Sequence, residues 1–385
     1  MRYLILRLKR FCGFAVGFVF FLSGLLKLMD PTGAELVMKE YFSFLHLGFL
    51  EITAKAFGIA LAFTETVIGA ALVTGVWKKV IAATAVGMQG FFTLLTAVLV
   101  IFKPDMDCGC FGEAINLTHG QTFTKNIILL GLLLTYYIPA KHLAQPQKKK
   151  YVSFSVVCIS AAAFALYSML FIPMADFTDF KPGTLINTST DTADSYEASF
   201  IYSKDGKEES FSLEDLPDTT WTFVRTETTD TRKNKGTAAT VSISDRKGEY
   251  ADSLLASGKV IVISIYEDDL SEKDINKLNS FIRNAHDAGF TPIVLSSENI
   301  QGIDSPTYLC DYKTLITLNR SNGGATYINN GFIIRKWAKR ALPDPKGLAM
   351  LSEEDPTDTF IGRDTGTSLA FQGFLLYVFA VMLLL

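Results

Sequence analysis

The sequence predicts an α-helical membrane protein, a four-helix bundle plus additional spans, with an α/β domain attached. Three observations predict it. Of the 385 residues, 49% are hydrophobic and only 19% charged, with a mean hydropathy of +0.26, too apolar for one soluble domain of this length. The apolar residues are gathered into runs near the ~20 residues that a spanning helix needs. From about residue 174 the composition turns polar, with acidic, Ser/Thr and Gly residues and strand-like runs between turn signals. The net charge of -3 speaks against a nucleic-acid partner, which would need a basic surplus; the partner that the composition does imply is the lipid bilayer.

The apolar runs lie at about 11–29, 51–76, 80–102, 124–140 and 151–172, with a sixth at about 368–385 that is slightly short for a span. The first lacks a small-residue cleavage site and is followed by Lys27-Leu28-Met29-Asp30-Pro31, so it reads as a retained helix rather than a signal peptide. Arg2, Arg7, Lys9 and Arg10 precede it, Lys78 and Lys79 separate the second and third runs, and Lys141 and Lys148 to Lys150 separate the fourth and fifth. Positive segments stay on the cytoplasmic side, which puts loop 103–123 and the polar stretch after the fifth run outside. The expected organisation is a four-helix domain at 1–145, a fifth helix at 146–173, an extracytoplasmic domain at 174–366 and a C-terminal apolar helix at 367–385 that spans.

In the outer domain, Lys204-Asp205-Gly206-Lys207 reads as a hairpin turn. Val260 to Tyr266 is a nearly continuous β-branched run, as in a buried parallel strand. Ser271 reads as the N-cap of an amphipathic helix with Ile275, Leu278, Phe281, Ile282 and Ala285 on one face, Gly289 ends it, and Pro292 to Leu295 gives a second strand. A helix around Lys313 to Arg320 and a hairpin through Asn329-Asn330-Gly331 follow. A βαβ unit, then a helix and a hairpin, is the order of a thioredoxin-like domain. Its chemistry is missing: Glu267-Asp268-Asp269-Leu270 stands where such domains carry C-x-x-C, Gly323 or Gly324 replaces the usual cis-proline, and Cys310 is a single thiol on another segment. The domain reads as redox-silent, suited to docking or to covering the membrane part.

The densest chemistry in the chain is Asp107-Cys108-Gly109-Cys110-Phe111-Gly112, in the loop between the third and fourth runs. Thiols so placed can exchange disulfides, staple a loop or bind a soft metal. In an extended segment the two Cα atoms are about 7 Å apart, the upper edge for a disulfide, and Gly109 lets the backbone fold so that the sulfurs meet. The resulting ring is strained and easily reduced, the labile and catalytic kind. Asp105 and Asp107 disfavour the thiolate; Lys103 and the start of the next helix favour it. A metal reading would draw on His119, Asp105, Asp107 and Glu113, but a structural zinc site wants four N/S ligands in a tighter pattern, so no metal is expected.

Other residues support this loop. Glu65 lies mid-span, where a carboxylate is costly and functional by default, with Gln89 or Thr93 as its packing partner in the structural alternative. Lys27 pairs locally with Asp30 or snorkels. Thr122 or Thr124 caps the fourth helix, Lys125 is an interfacial charge, and Asn126 follows it. Cys12 and Cys158 are apolar packing, and Gly69 and Gly75 allow close helix approach.

These residues carry a resemblance. Phe21 to Lys27 with Asp30-Pro31, Glu65 followed by Gly69, and above all Asp107 to Gly112 followed by Thr122-Phe123-Thr124-Lys125-Asn126 resemble the DoxX-like and MauE-type family of small four-helix membrane proteins. The full chain resembles the larger members found in Bacteroidetes, which append a periplasmic thioredoxin-like domain; Arg320-Ser321-Asn322 stands where relatives read R-S-N-P-G. The resemblance implies a bundle in the inner membrane and a role in thiol chemistry: disulfide formation in a periplasmic subunit of methylamine dehydrogenase for MauE-type members, and thiol or thiosulfate oxidation coupled to quinone for DoxX-like members. The expectation is a thiol–disulfide redox protein in which Cys108 and Cys110 cycle at the outer surface. Electrons would pass to a quinone near Glu65, and the outer domain would present a periplasmic client or redox partner. The rival expectation is a non-enzymatic anchor whose cysteines brace a loop.

Overall fold

The computed structural model describes residues 2–104, 106, 108–115, 117–138, 148–188, 196–204, 207–211, 217, 221–230 and 238–384. The chain divides into a helical unit, residues 1–177 and 362–385, and a sheet unit, residues 178–361. Asp105, Asp107, Lys141 and the turn pair Asp205-Gly206 lie outside the described residues.

The helical unit contains α1 (Arg2–Met29), α2 (Pro31–Phe44), α3 (Ala54–Thr74), α4 (Lys78–Phe102), α5 (His119–Tyr137) and α6 (Lys148–Leu170), with a short strand β1 (Cys110–Glu113) before α5. Four stretches of described helix are long and apolar enough to cross a membrane: Arg7–Met29, Gly48–Thr74, Lys78–Phe102 and Lys148–Leu170. The expected fourth run differs: α5 starts five residues earlier than its apolar part, and its first two turns carry His119, Gln121, Thr124 and Lys125. The C-terminal apolar stretch Leu369–Leu383 is shorter than a span of this kind, yet it is packed: Phe371 and Phe374 stack on Phe164, and Phe379 meets the edge of Phe21.

Helices α1 and α3 touch backbone to backbone. A Cβ on Gly69 would collide with the Phe21 amide and the Gly17 carbonyl, so only glycine permits this approach. Gly75 has another role than the one expected: it ends α3 in the left-handed conformation at φ 74°. The cap of α5 is also corrected. Thr118, with Gln121, forms a capping box, whereas Thr122 is buried and Thr124 bonds back to the Gly120 carbonyl. Helix α2 has no counterpart in the sequence expectations. Asp30 caps it by accepting from the Gly33 amide at 2.9 Å, so Asp30 is a cap and not the partner of Lys27.

The sheet unit is built on an eight-stranded sheet with order β6-β2-β12-β11-β8-β9-β10-β7 and a separate antiparallel sheet, order β4-β3-β5. In chain order these strands are β2 (Leu185–Thr188), β3 (Tyr196–Lys204), β4 (Lys207–Phe211), β5 (Thr222–Asp230), β6 (Ala238–Val241), β7 (Ile243–Ser244), β8 (Lys259–Ile265), β9 (Thr291–Ser296), β10 (Thr307–Cys310), β11 (Gly324–Asn329) and β12 (Phe332–Trp337). Helix α7 (Glu272–Asp287) joins β8 to the parallel β9, and α8 (Tyr312–Leu318) precedes β11; α9 (Pro345–Glu353) and α10 (Pro356–Leu384) close the chain. Ile261, Ile263 and Ile265 of β8 pack under Leu278, Phe281, Ile282 and Ala285 of α7, the face that the sequence marks. β11 is antiparallel to both β8 and β12, and the β11–β12 turn has Asn330 at φ 46° and Gly331 at φ 82°, as a two-residue primed turn requires.

Candidate functional site

The loop after α4 is held from three sides. On α1, Ser23 and Lys27 are four residues apart and so share a helix face. Lys27 Nζ reaches both carboxylate oxygens of Glu65 on α3, at 2.8 and 2.9 Å, and lies 5.8 Å from the centre of the Phe92 ring. The pair is buried, with the Glu65 side chain 4% and the Lys27 side chain 13% exposed. A charge this deep is tolerable only when paired, and the bidentate contact does that. Glu65 is therefore matched by Lys27, replacing both the expected Lys27–Asp30 pair and the expected Gln89 or Thr93 partner. Gln89 instead donates to the Asn126 backbone carbonyl at 3.1 Å. Asn126 in turn donates to Thr96 Oγ1 at 3.2 Å and to the Phe92 carbonyl at 3.3 Å, binding α5 to α4.

Ser23 links this ion pair to the cysteines. Its hydroxyl lies 3.0 Å from Glu65 Oε2 and 2.6 Å from the Cys110 carbonyl. The Cys108 carbonyl accepts from the Tyr41 hydroxyl of α2 at 3.0 Å. Burial, and then the nearby Cys110 and Cys108 thiols, push the Tyr41 phenol up from its ordinary value, so it stays protonated and a donor. Between the two pinned carbonyls stands Gly109, at φ 59°, where an added Cβ would strike Val37 of α2. A left-handed backbone pressed onto a neighbouring helix leaves room for glycine alone.

The thiols have unequal surroundings. Cys108 is buried and Cys110 half-buried, and none of the five cysteines is in a disulfide. Cys108 Sγ lies 2.9 Å from His119 Nδ1, in the first turn of α5. The other ring nitrogen, Nε2, lies 3.0 Å from the Pro104 carbonyl. A carbonyl only accepts, so Nε2 carries the proton and Nδ1 of the neutral ring is an acceptor facing the thiol. Lys125 sits over the Phe111 ring at 4.6 Å, which fixes the far side of the loop.

Both cysteines, Lys27, Glu65, Lys125 and Asn126 line one cavity of about 190 Å³ inside the helical unit. Its remaining wall is largely apolar, with Phe20, Phe57, Phe91, Phe92 and Leu95 among the lining residues. Among the described residues, no three His, Cys, Asp or Glu side chains form a group suited to a metal ion. The residues that sequence reasoning missed are Tyr41, Val37 and the Pro104 carbonyl; the sequence marks His119 as a supporting residue and a possible metal ligand, without its contact to Cys108. Ser23 and Lys27 did carry a signal, a hydroxyl and an ammonium four apart on an apolar helix.

Residues 196–233 match a family model described as a domain of unknown function, DUF8463, and cover the β3–β5 sheet. Among curated proteins, none matches the chain. Residues 3–139 match the family model described as methylamine utilisation protein MauE, a segment that holds α1 to α5 and the cysteine loop, and the chain is a multi-pass membrane protein whose helical unit is similar to the MauE type.

Proposed function

We propose that this chain is a membrane thiol–disulfide oxidoreductase in which Cys108 and Cys110 cycle between dithiol and disulfide and pass electrons to a quinone. One observation carries the reading: both cysteines open on the same apolar cavity as the buried Lys27–Glu65 pair. At about 190 Å³ the cavity exceeds the ~150 Å³ that holds a benzene ring, so it fits a quinone ring whose apolar tail stays in lipid. Lys27 would donate to a ring carbonyl, and Phe92 and Leu95 would flank the ring. A bound quinone would supply a sink for two electrons and two protons. The net reaction balances: a client dithiol becomes a disulfide, and a quinone becomes a quinol.

The Lys/Arg bias supports placing the cysteine loop and the sheet unit on the outer side of a bacterial inner membrane, where disulfides persist. The order β9-β8-β11-β12, with β8 and β9 parallel and α7 between them, supports a thioredoxin-like reading of the sheet unit. Without a thiol pair there, its part is to hold a cysteine-bearing client. The description of the matched family, methylamine utilisation, supplies a setting for such a client.

Thiol trapping in native membranes tests the proposal. Cys108 and Cys110 should be found as a reducible disulfide that turns to dithiol when quinone is depleted. A pair that stays reduced in both states, or a Cys108→Ser chain with full function, overturns it in favour of a non-enzymatic anchor.

A further inference from the structure

We infer that His119 is the proton acceptor of the Cys108 thiol, which divides the pair into an inner, His-assisted sulfur and an outer sulfur, Cys110, that meets the client. The inference rests on the thiol-exchange reading above and deepens it. Cys108 Sγ is 2.9 Å from Nδ1, and the Pro104 carbonyl at 3.0 Å from Nε2 selects the tautomer whose Nδ1 is bare. A mere packing histidine needs no such orientation, whereas a base that must take a proton from sulfur does. Among the described residues no imidazole is hydrogen-bonded to Cys110, which is the more exposed of the two. Its carbonyl is held by Ser23, so its backbone is fixed while its side chain stays half-buried at the cavity wall.

The chemistry follows from this asymmetry. With the pair oxidised, a client thiolate attacks the Cys110 sulfur, the Cys108–Cys110 bond breaks, and Cys108 leaves as a thiolate beside the imidazole. The leaving thiolate takes a proton from the imidazolium formed when His119 collects one from the client thiol. The client's second thiolate then attacks the mixed disulfide and releases Cys110, which takes up the second proton. The client has lost two electrons and two protons, and the Cys108–Cys110 pair has gained them. With the pair reduced, the same imidazole takes the Cys108 proton, making Cys108 the sulfur that attacks first.

The test uses the full chain in lipid nanodiscs and a small disulfide, 4,4′-dithiodipyridine, so that no quinone is needed. Release of thiopyridone reports attack by a protein thiol. In the Cys110→Ser chain, which leaves Cys108 to react, both His119→Ala and His119→Asn should slow release by roughly 10²-fold. Asparagine can still accept a hydrogen bond from the thiol but cannot take its proton, so a merely structural histidine would leave His119→Asn near the parent rate. Added imidazole should restore part of the rate to His119→Ala. In the Cys108→Ser chain, the Cys110 rate should not respond to His119. The inference is overturned if His119→Asn keeps the parent rate, if Cys110 depends on His119 as strongly as Cys108, or if Cys108 never reacts. Quinone reduction is scored separately with decylubiquinone. His119-dependent exchange without quinone reduction removes the quinone reading and leaves this one standing.

Discussion

The helical unit and the sheet unit each hold a cysteine in a segment that leads to a helix, and the surroundings of the two differ. Cys108 sits against an oriented imidazole and opens on a cavity. Cys310, at the end of β10 before α8, is buried with its thiol pushed up to about 12, first by burial and then by the charge of Asp311 beside it. The segment after β8 has no cysteine and is tied to Asn322, which accepts from the Tyr266 amide at 2.9 Å and donates to the Glu267 carbonyl at 2.8 Å. The sheet unit thus holds one buried thiol, while the loop between α4 and α5 holds two, one of them beside an imidazole. Chemistry resides in sites, and fold alone does not bring it.

The comparison breaks most sharply at the sulfurs. Cys108→Ser or Cys110→Ser should abolish quinone-linked oxidation of a client dithiol while membrane insertion persists, and Cys310→Ser should change nothing. Client oxidation measured in membranes, with alkylation and mass shift to count thiols, decides it. Activity that follows Cys310 would reverse the assignment of the two units.

The next effect is that of the buried ion pair. Removing one partner, by Lys27→Met or Glu65→Gln, strands the other charge and should cost about 3–5 kcal/mol of stability. The double substitution Lys27→Met/Glu65→Leu should recover much of this loss in a detergent melting series without recovering quinone reduction. Recovery of both would make the pair structural only, and the cavity would lose its polar anchor.

A smaller loss should follow Gly109→Ala. The left-handed backbone costs about 1–2 kcal/mol for a residue with a Cβ, and the clash with Val37 adds about 1–3 kcal/mol. Pairing it with Val37→Ala should remove the clash and leave only the backbone strain. If the double variant is no better than the single one, Val37 is not what holds the loop.

What was legible in the sequence follows from what is local. Hydropathy marked the spans around Val16, Ile68 and Leu99, and β-branched residues marked β8. Ser271 marked the N-cap of α7, and Asn330-Gly331 marked the β11–β12 turn. The cysteine loop stood out because two thiols and two glycines lay in six residues. Contacts between distant segments were not legible. Lys27 has Asp30 nearby in sequence but meets Glu65 in space, because Asp30 is taken by the cap of α2. Helix α2 itself was hidden by Glu35, Lys39 and Glu40, which break its apolar stripe, although Glu35 is buried and paired with Lys39 at 2.9 Å. His119 looked like a ligand because only the path of the loop turns its ring toward Cys108.

The least effect belongs to Cys310, and it has a sign. Its thiol rises from an ordinary 9.0 to about 12, so between these values the unfolded chain has lost a proton that the folded chain keeps. The folded state binds more protons there, and stability falls as pH rises. The contribution is whole below pH 9.0 and is lost as pH climbs through about 12. The slope is at most about 1.4 kcal/mol per pH unit. Cys310→Ala should flatten this alkaline decline in urea melts followed at Trp337, and leave stability at pH 7 lowered only by the small loss of packing. Alkylation gives the complementary reading: at pH 8 Cys310 should resist a maleimide that labels Cys110, and should label only after the sheet unit is unfolded. A Cys310 that labels as fast as Cys110 in the folded chain would erase the difference between the two units, since burial is what keeps its sulfur out of exchange.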